Sequence, residues 1–346
     1  MIKQNRIRQL TVAIPAYNAD TYLEQCLDSL VGNDTRLEIL VVNDGSTDQT
    51  AAIARQYVDA YPDQVHLINK ENGGHGSGIN CAVEQATGRY FKVIDADDWI
   101  IRDNLSLLLD ALEQTEADAV LTGYRTINER NGKILTYPTD CKYTGQEIRL
   151  SQLLEVYEEI SSCCSFHGLL YRTQFYRDCD FRLSEGIFYE DHEYATLPFT
   201  HVETILILPF FFYEYRIGNS GQSVAFHNQV KRIDHIEAVV RKILDYRDTC
   251  RPLRPEREEY ILRKLCVVVV SYFAVALVKD HDRKKGAEKA RQFQTWLENR
   301  EPELLKRISK KYQTLVWLHR IHFPAELYQK ILDTRLYKRF RRIWIR

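Results

Sequence analysis

Three carboxylates follow a short apolar run in the first third of the chain. Residues 90–94 are aromatic and β-branched, with Lys92 among them, and the next four residues are Asp95-Ala96-Asp97-Asp98. Such a run is typical of a buried strand. Asp95 and Asp97 alternate along the chain, so both can reach one side of the strand end. These oxygen ligands suit Mg²⁺ or Mn²⁺, and the alternative is a solvated acidic turn without an ion.

Apolar runs and helical spacings alternate over the first hundred residues. The runs at 10–14, 37–42, 65–68 and 90–94 predict strands, and the segments between them predict helices. Asp20 or Thr21 is expected to cap the first helix, and Ser46 with Gln49 matches a capping box for the second. This order predicts an α/β fold with a mostly parallel, Rossmann-like sheet flanked by helices.

Polar side chains follow three of these predicted strands. They are Tyr17, Asn18, Asp44, Asp95 and Asp97. Ligands bind parallel sheets beyond the carboxyl ends of the strands, so these three turns are expected to converge on one site.

A glycine-rich stretch at residues 73–78 follows the third predicted strand. Its spacing differs from the dinucleotide-binding fingerprint, and it lacks the acidic partner of that motif. We interpret it as a flexible loop that lets the backbone around Gly74 approach a diphosphate. A glycine-rich turn without a ligand is the alternative.

Five motifs in this region resemble those of family 2 glycosyltransferases, which have the GT-A fold. They are Ile14-Pro15-Ala16-Tyr17-Asn18, Val42-Asn43-Asp44-Gly45-Ser46-Thr47-Asp48, Asn72-Gly73-Gly74, Ala86-Thr87-Gly88-Arg89-Tyr90 and Asp95-Ala96-Asp97-Asp98. They follow the order and spacing of that family across residues 10–125.

The resemblance implies a nucleotide-diphosphate sugar as donor. It places Pro15, Tyr17 and Asp44 beside the base and ribose. It places Asp95 near the ribose and the metal, and it makes Asp97 a ligand of Mn²⁺ or Mg²⁺ that bridges the diphosphate.

One position departs from the family pattern. The family commonly has Ala-Arg-Asn after the glycine loop, whereas this chain has Gly78-Ile79-Asn80. The donor contact of that arginine is therefore missing, and His75, Arg89 and Lys92 are the candidates to replace it.

A second acidic segment, Glu190-Asp191-His192-Glu193, resembles the later Glu-Asp pair that supplies the catalytic base in the family. Direct displacement at an anomeric carbon needs a carboxylate that takes the proton of the attacking hydroxyl. We assign this role to Asp191, with Glu190 as the rival and Glu193 as a weaker one. The alternative is a charged first turn of a helix.

Further elements are expected in the second half of the domain. Strands are predicted at 118–124, 135–137 and 210–215, and a helix is predicted at 146–160. A polar loop at 213–224 follows the last strand. It is similar to loops of related transferases that close over the donor, and this resemblance implies that Arg216 or His227 contacts phosphate or metal. A purely structural loop is the alternative.

Composition sets the wider limits. The chain has 346 residues, 45% of them hydrophobic, a net charge of −1 and eight scattered cysteines. These numbers predict a large core, argue against nucleic-acid binding, and favour thiols in a reducing cytosol over disulfides or zinc. No signal-peptide pattern precedes the first strand, and the apolar run at 265–278 is expected to be a buried helix.

Two domains are expected. Residues 1–228 form the GT-A domain, with a nucleotide-sugar half at 1–125 and an acceptor and catalytic-base half at 126–228. Residues 229–346 form a helical region that could serve as a homo-oligomer surface. Basic residues surround an apolar stripe at 335–346, which predicts an amphipathic helix on anionic lipid. A solvated tail or a helix packed on a partner chain is the alternative.

These observations predict an inverting, metal-dependent glycosyltransferase. It is expected in the cytoplasm, either free or bound at the inner face of the plasma membrane. Its donor is expected to be a UDP-hexose or UDP-N-acetylhexosamine, and its acceptor a hydroxyl of a surface glycan or lipid-linked glycan. One alternative is a sugar-nucleotide pyrophosphorylase, although the turn after the first strand lacks the glycine-rich basic loop of such enzymes. The other is a catalytically silent sugar-binding module of a synthase complex.

Overall fold

A computed structural model describes residues 8–218 and 226–332, with the backbone alone at 226 and 227. The chain divides into two compact units, Met1–Asn219 and Ser220–Arg346. The sequence-based boundary after residue 228 stays a prediction, as does the amphipathic tail at 335–346, which lies outside the described residues.

The first unit is built on a mixed sheet. Its described strands are β1 (Leu10–Ala16), β2 (Leu37–Asp44), β3 (Val65–Lys70), β4 (Tyr90–Val93), β5 (Trp99–Ile100), β6 (Ala119–Asn128), β7 (Ile134–Tyr137), β8 (Glu147–Arg149), β9 (Leu169–Arg172) and β10 (Thr204–Ile217). The hydrogen-bonded order is β3-β2-β1-β4-β9-β6-β10-β5, with β7 beside β6 and β8 beside β10.

Helices cover this sheet. The described helices of the first unit are α1 (Leu23–Leu30), α2 (Thr50–Ala60), α3 (His75–Gln85), α4 (Leu105–Glu113), α5 (Leu150–Glu155), α6 (Tyr157–Ile160), α7 (Thr173–Asp178) and α8 (Asp191–Tyr194), with short 3₁₀ turns at Arg102–Asn104 and Leu197–Thr200.

The predicted fold class is confirmed. Strands β1 to β4 pair in parallel, and helices connect them in the predicted order. Beyond β4 the sheet is mixed, because β9 runs antiparallel to both β4 and β6, while β6 and β10 are parallel. The carboxyl ends of β1, β2 and β4 therefore lie along one edge, where the polar turns were expected.

β1 continues through Pro15, where the sequence predicts its end. Ala13 accepts a hydrogen bond from the backbone N–H of Ile94, so odd-numbered residues of β1 face β4. The ladder with β4 ends at Ala13 opposite Val93, whereas the ladder with β2 continues to Ala16. The nitrogen of Pro15 thus faces the side of β1 on which no strand is paired at this position. The sheet therefore loses no hydrogen bond through the lack of an N–H.

The predicted helix caps are wrong. Tyr22 and Gln49 are the N-cap residues of α1 and α2, and neither side chain makes a capping hydrogen bond. The Ser46 hydroxyl instead accepts a hydrogen bond from the backbone N–H of Asn18, at 3.1 Å. This polar side chain joins the loops after β1 and β2, so a tertiary contact replaces the local one.

The predicted helix at 146–160 is interrupted in the structure. Glu147–Arg149 forms β8, which pairs with β10, and α5 and α6 follow it. The helical pattern of this segment predicted one helix. Its first residues form a strand instead, because β10 offers them an edge for hydrogen bonding.

The second unit is helical in its described part. Its helices are α9 (Phe226–Lys231), α10 (Ile233–Thr249), α11 (Pro255–Ala274), α12 (Arg283–Arg300), α13 (Pro302–Arg320) and α14 (Ala325–Leu332), with a π-helical turn at Val275–Lys279. Pro255–Lys279 has the length and composition of a membrane span, but 67% of its most apolar window is buried in the protein. This burial is typical of a core helix.

The segment Thr87–Arg89 of the fourth motif has a structural role. The buried Glu38 carboxylate accepts hydrogen bonds from the Thr11 hydroxyl at 2.6 Å and from the Thr87 N–H and hydroxyl, each at 2.8 Å, and it pairs with Arg8. Burial raises the pKa of Glu38, but these donors outweigh it and hold the pKa below its usual value. Glu38 thereby fixes the turn that leads into β4.

We expect Glu38→Gln to lower the free energy of unfolding at pH 7 by about 1–3 kcal/mol, because a buried acceptor of charge-assisted hydrogen bonds is lost. A lowered folded-state pKa stabilises the protein above the ordinary glutamate pKa of 4.5, and this contribution disappears as pH falls through the folded value. The difference between wild type and variant should therefore shrink at acid pH. Urea unfolding at several pH values measures it, with the exposed Glu71→Gln as control. A pH-independent difference would contradict the assignment.

Candidate functional site

The acidic segment after β4 forms a compact carboxylate cluster. Asp95, Asp97 and Asp98 each place an oxygen within 4.8 Å of the others. Asp98 is buried and accepts hydrogen bonds from the Tyr213 hydroxyl at 2.5 Å and the Arg216 backbone N–H at 2.7 Å. Burial, together with the charges of the two neighbouring aspartates, raises the pKa of Asp98. Asp98 therefore anchors the segment, and the Asp95 and Asp97 carboxylates remain partly exposed.

Asp95 and Asp97 fit a hard divalent cation. Both side chains are partly exposed, and both offer only oxygen. Burial and the charge of Asp95 raise the pKa of Asp97 to about 6. A divalent cation between two such carboxylates relieves their repulsion, and oxygen ligands are those that Mg²⁺ and Mn²⁺ prefer. The predicted metal ligands are thus brought together by the structure, whereas the third member of the motif faces the core.

His75 bridges this cluster to the second acidic segment. Its Nε2 lies 2.9 Å from Oδ1 of Asp95, and its Nδ1 lies 2.6 Å from Oε1 of Glu190. Burial disfavours the imidazolium, but the two carboxylates outweigh it and raise the pKa of His75. In return, the positive ring outweighs the burial of Asp95 and lowers the pKa of that carboxyl. One side chain thus links residues 95 and 190 of the chain.

The glycine loop is held by Asp44. The backbone N–H groups of Gly73 and Gly74 donate to the two oxygens of this carboxylate at 2.9 and 2.8 Å, and Lys70 Nζ donates at 2.6 Å. Gly74 has φ +85°, a conformation that favours glycine. Asp44 is buried, so its observed contacts are with the loop at the donor edge.

The same loop lies against the chain that precedes Glu190. A Cβ on Gly76 would lie 2.2 Å from the carbonyl oxygen of Ser184, and the Gly186 N–H donates to the carbonyl of Gly73 at 2.7 Å. This close approach requires glycine. The side chain of Asn80 adds two hydrogen bonds to the backbone of Leu183, at 2.9 and 3.0 Å. The glycine-rich stretch therefore fixes the second acidic segment as well as the loop itself.

Three carboxylates of the second acidic segment have different environments. Glu190 is buried and bonded to His75, and Glu193 is buried and accepts hydrogen bonds from the N–H and hydroxyl of Ser184 at 2.8 and 2.7 Å. Asp191 is partly exposed, and its carboxylate has no hydrogen bond or ion pair to any residue that the structure describes. Asp191 is thus the member of the segment with its carboxylate available to a substrate.

The residues expected beside the nucleotide base differ in exposure. Pro15 is buried in β1, and its Cβ lies 3.0 Å from the position of a Cβ on Gly78 of α3. Tyr17 is 55% exposed in the turn after β1. The Tyr17 ring is therefore accessible to a ligand, whereas Pro15 packs against α3.

The three residues considered as replacements for the missing arginine have different surroundings. Ile79 is fully buried. Arg89 donates to backbone carbonyls at the end of α4 and beyond, and Lys92 donates to three backbone carbonyls of residues 166–169. Of the three candidates, His75 is the one that contacts the carboxylate cluster.

Arg216 lies on β10 and not in the predicted loop. Its guanidinium is buried, donates to the Asp97 backbone carbonyl at 2.6 Å and to Gln25 at 2.5 Å, and pairs with Glu129. It therefore supports the acidic segment from the protein side. The remainder of the predicted loop, 219–224, and the side chain of His227 lie outside the described residues.

Tyr213 is a site residue that the sequence analysis did not single out. Its hydroxyl donates to Asp98 and accepts from the backbone N–H of Asp95 at 3.2 Å, so it orders both ends of the acidic segment. It stands 115 residues after Asp98 in a strand rich in aromatic residues. No local pattern distinguishes it from its aromatic neighbours.

Comparisons with known proteins identify the family that this part of the chain resembles. The model of the family described as Glycosyl transferase family 2 matches residues 11–179. Glycosyltransferase GlyA of Streptococcus pneumoniae is 28% identical over 221 residues, which are 62% of this chain but 31% of GlyA. The chain therefore spans about a third of that relative.

Solved structures show the same fold. S. aureus TarS 1–349 has a TM-score of 0.61 and 17% identity, covering 90% of this chain and 91% of that one, and its complex with UDP-GlcNAc has a TM-score of 0.51. The mannosyltransferase PcManGT from Pyrobaculum calidifontis, in complex with GDP-Man and Mn²⁺, has a TM-score of 0.51 and 17% identity, covering 94% and 88% of the two chains.

We expect His75→Ala to lower the free energy of unfolding by about 1–3 kcal/mol, because it leaves the buried Glu190 carboxylate without this partner. Urea unfolding in the absence of metal measures the effect. His322→Asn, a change at an exposed histidine of the second unit, is the control and should change the free energy by less than about 0.5 kcal/mol. Equal stability of the two variants would show that the bridge does not form in solution.

Proposed function

Residues 11–179 belong to the family 2 glycosyltransferases, and we propose that the protein transfers a sugar from a nucleotide-diphosphate donor to an acceptor hydroxyl with inversion at the anomeric carbon. The main observation in support is that Asp191, whose carboxylate is available, directly follows Glu190. His75 hydrogen-bonds to both Glu190 and Asp95 and so links this segment to the carboxylate cluster. This arrangement unites a base with a donor and metal site.

The donor is proposed to be a UDP-hexose or UDP-N-acetylhexosamine. The TarS fragment of the same fold binds UDP-GlcNAc. In this chain, the exposed Tyr17 ring would stack on the base, and the loop at Gly73 and Gly74 borders the path of the diphosphate. Asp44 supports that path by holding the loop.

Asp95 and Asp97 would hold Mn²⁺ or Mg²⁺. A divalent ion bound there supplies positive charge to the departing diphosphate. PcManGT, which shares the fold, is in complex with Mn²⁺. Asp98, Tyr213 and Arg216 contribute by fixing the backbone of the acidic segment, so that the two ligands keep their positions.

Asp191 acts as the general base. Its carboxylate takes the proton of the acceptor hydroxyl while the hydroxyl oxygen attacks the anomeric carbon on the face opposite the leaving diphosphate. The carbon–oxygen bond to the diphosphate breaks as the new glycosidic bond forms, which inverts the configuration. Glu190 positions this base through its hydrogen bond to His75.

The acceptor is proposed to be a hydroxyl of a growing surface glycan or of a lipid-linked glycan. We further propose a cytoplasmic enzyme that can lie at the inner face of the plasma membrane, with residues 335–346 as the lipid contact. The basic and apolar residues of that segment support this part of the proposal.

Asp97→Ala should lower turnover by about two orders of magnitude or more, because it removes a carboxylate of the metal site. The measurement is nucleotide release from a panel of UDP- and GDP-sugars, with Mn²⁺ and after chelation by EDTA. Thermal stabilisation by donor and Mn²⁺ together should also be lost. Asp103→Asn, at an exposed aspartate in the 3₁₀ turn after β5, should behave as wild type. Full activity after chelation would contradict metal dependence.

Asp191→Asn should also lower turnover by about two orders of magnitude or more, but it should leave donor binding and Mn²⁺ binding intact, since only the base is lost. Thermal shift with donor and Mn²⁺ verifies a folded, donor-binding variant. Near-normal turnover of that variant would assign the base to another residue.

A further inference from the structure

His167 and Tyr215 form a close pair of rings in the first unit. His167 lies in the turn before β9, and Tyr215 lies near the end of β10. Their ring centroids are 4.2 Å apart with planes inclined by 31°, and both side chains are partly exposed. Residues 48 positions apart in sequence thus form one stack of rings.

This pair is held from behind by other rings. Tyr124 stacks on His167 at 5.1 Å, and Tyr137 stacks on Tyr124 at 4.5 Å. The Tyr213 ring meets His167 edge-on at 5.1 Å. The buried Lys92 amine donates to the backbone carbonyl of His167 at 2.8 Å. The positions of the two rings are therefore set by the core and do not require a ligand.

The polar atoms of the pair lack partners in the part of the chain that the structure describes. Neither ring nitrogen of His167 nor the hydroxyl of Tyr215 makes a hydrogen bond to a described residue. Burial lowers the pKa of His167 to about 4, so the neutral ring offers one donor and one acceptor at pH 7. Partly buried polar groups are normally satisfied by protein, water or a ligand.

The pair lies beside the first acidic segment. The Tyr213 ring meets His167 edge-on, and the Tyr213 hydroxyl donates to Asp98. The residue after Tyr215 donates its backbone N–H to the same carboxylate. The charges of Asp95 and Asp191 also act on both rings. A molecule that touches both rings would therefore lie near the proposed metal ligands and the proposed base.

We propose that His167 and Tyr215 form the subsite for the acceptor sugar, with the Tyr215 face that is turned away from His167 against its C–H groups and the three polar atoms of the pair bonded to its hydroxyls. This inference rests on the proposed function. We assign the pair to the acceptor and not to the donor because both residues come from the half of the domain after residue 125. The turns proposed to bind the donor follow β1, β2 and β4. Sugars suit this surface because each ring face carries C–H groups and its rim carries hydroxyls that donate and accept.

The test uses p-nitrophenyl β-glycosides of glucose, galactose and N-acetylglucosamine as acceptor probes with the full-length protein. Tyr215→Phe removes one hydroxyl, and His167→Phe removes both ring nitrogens while it retains an aromatic ring. Tyr215→Phe should raise KM for the glycoside about tenfold, as for the loss of one hydrogen bond, and His167→Phe, which loses two, should raise it by about tenfold or more. KM for the donor and the rate of donor hydrolysis by water should stay within about twofold of wild type.

Tyr61→Phe, at a partly exposed tyrosine stacked on Tyr57, is the matched control and should leave all constants unchanged. Thermal unfolding verifies that each variant folds. An unchanged glycoside KM in Tyr215→Phe and His167→Phe would overturn the subsite, as would an equal rise of donor KM, which would place the rings against the donor sugar.

Binding of the same glycosides, measured by saturation-transfer NMR, separates this inference from the proposed function. If the glycosides bind, Tyr215→Phe weakens this binding and no sugar nucleotide is turned over, the subsite is supported and the transferase activity is rejected. Donor turnover by wild type, with glycoside binding absent or equal in the variants, would reject the subsite and keep the transferase.

Discussion

Repulsion among carboxylates is the constraint on which the arrangement of this site depends. Asp95, Asp97 and Asp98 lie within one small volume, and Glu190 is close to the same place. The protein offsets this repulsion with neutral or positive donors at two of the positions: Tyr213 and the Arg216 backbone at Asp98, and His75 at Asp95. The Asp97 carboxylate has no hydrogen bond from another side chain that the structure describes, and burial with the charge of Asp95 raises its pKa to about 6. The site is thus prepared for a cation where its own residues leave charge uncompensated.

The glycine loop converts this electrostatic arrangement into a fixed geometry. Asp44 holds Gly73 and Gly74, and the absence of a side chain at Gly76 lets the backbone at Ser184 approach. His75 stands inside this loop and contacts both acidic segments. A loop that the sequence suggests as a diphosphate contact therefore also connects the donor half of the domain to the proposed base.

The sequence predicted much of this domain because its early elements are local. Apolar runs of strand length and helical spacings between them were sufficient for β1 to β4 and the helices that connect them. The helix caps failed because Ser46 bonds to the loop after β1, a contact that the capping pattern cannot contain. The prediction of a single helix at 146–160 was wrong because β10, which is distant in sequence, supplies a sheet edge that pairs with β8.

For the site, the sequence by itself determined which residue types stand at the strand ends, and hence the oxygen-ligand chemistry of Asp95 and Asp97. Only the tertiary structure decided which carboxylate of each acidic segment is available: it directs Asp98 to Tyr213 and Glu190 to His75, and it leaves Asp191 partly exposed. The physical reason is that periodicity assigns a residue to a face of its own element. The partner that neutralises a buried charge stands more than a hundred residues away, and folding alone brings the two together.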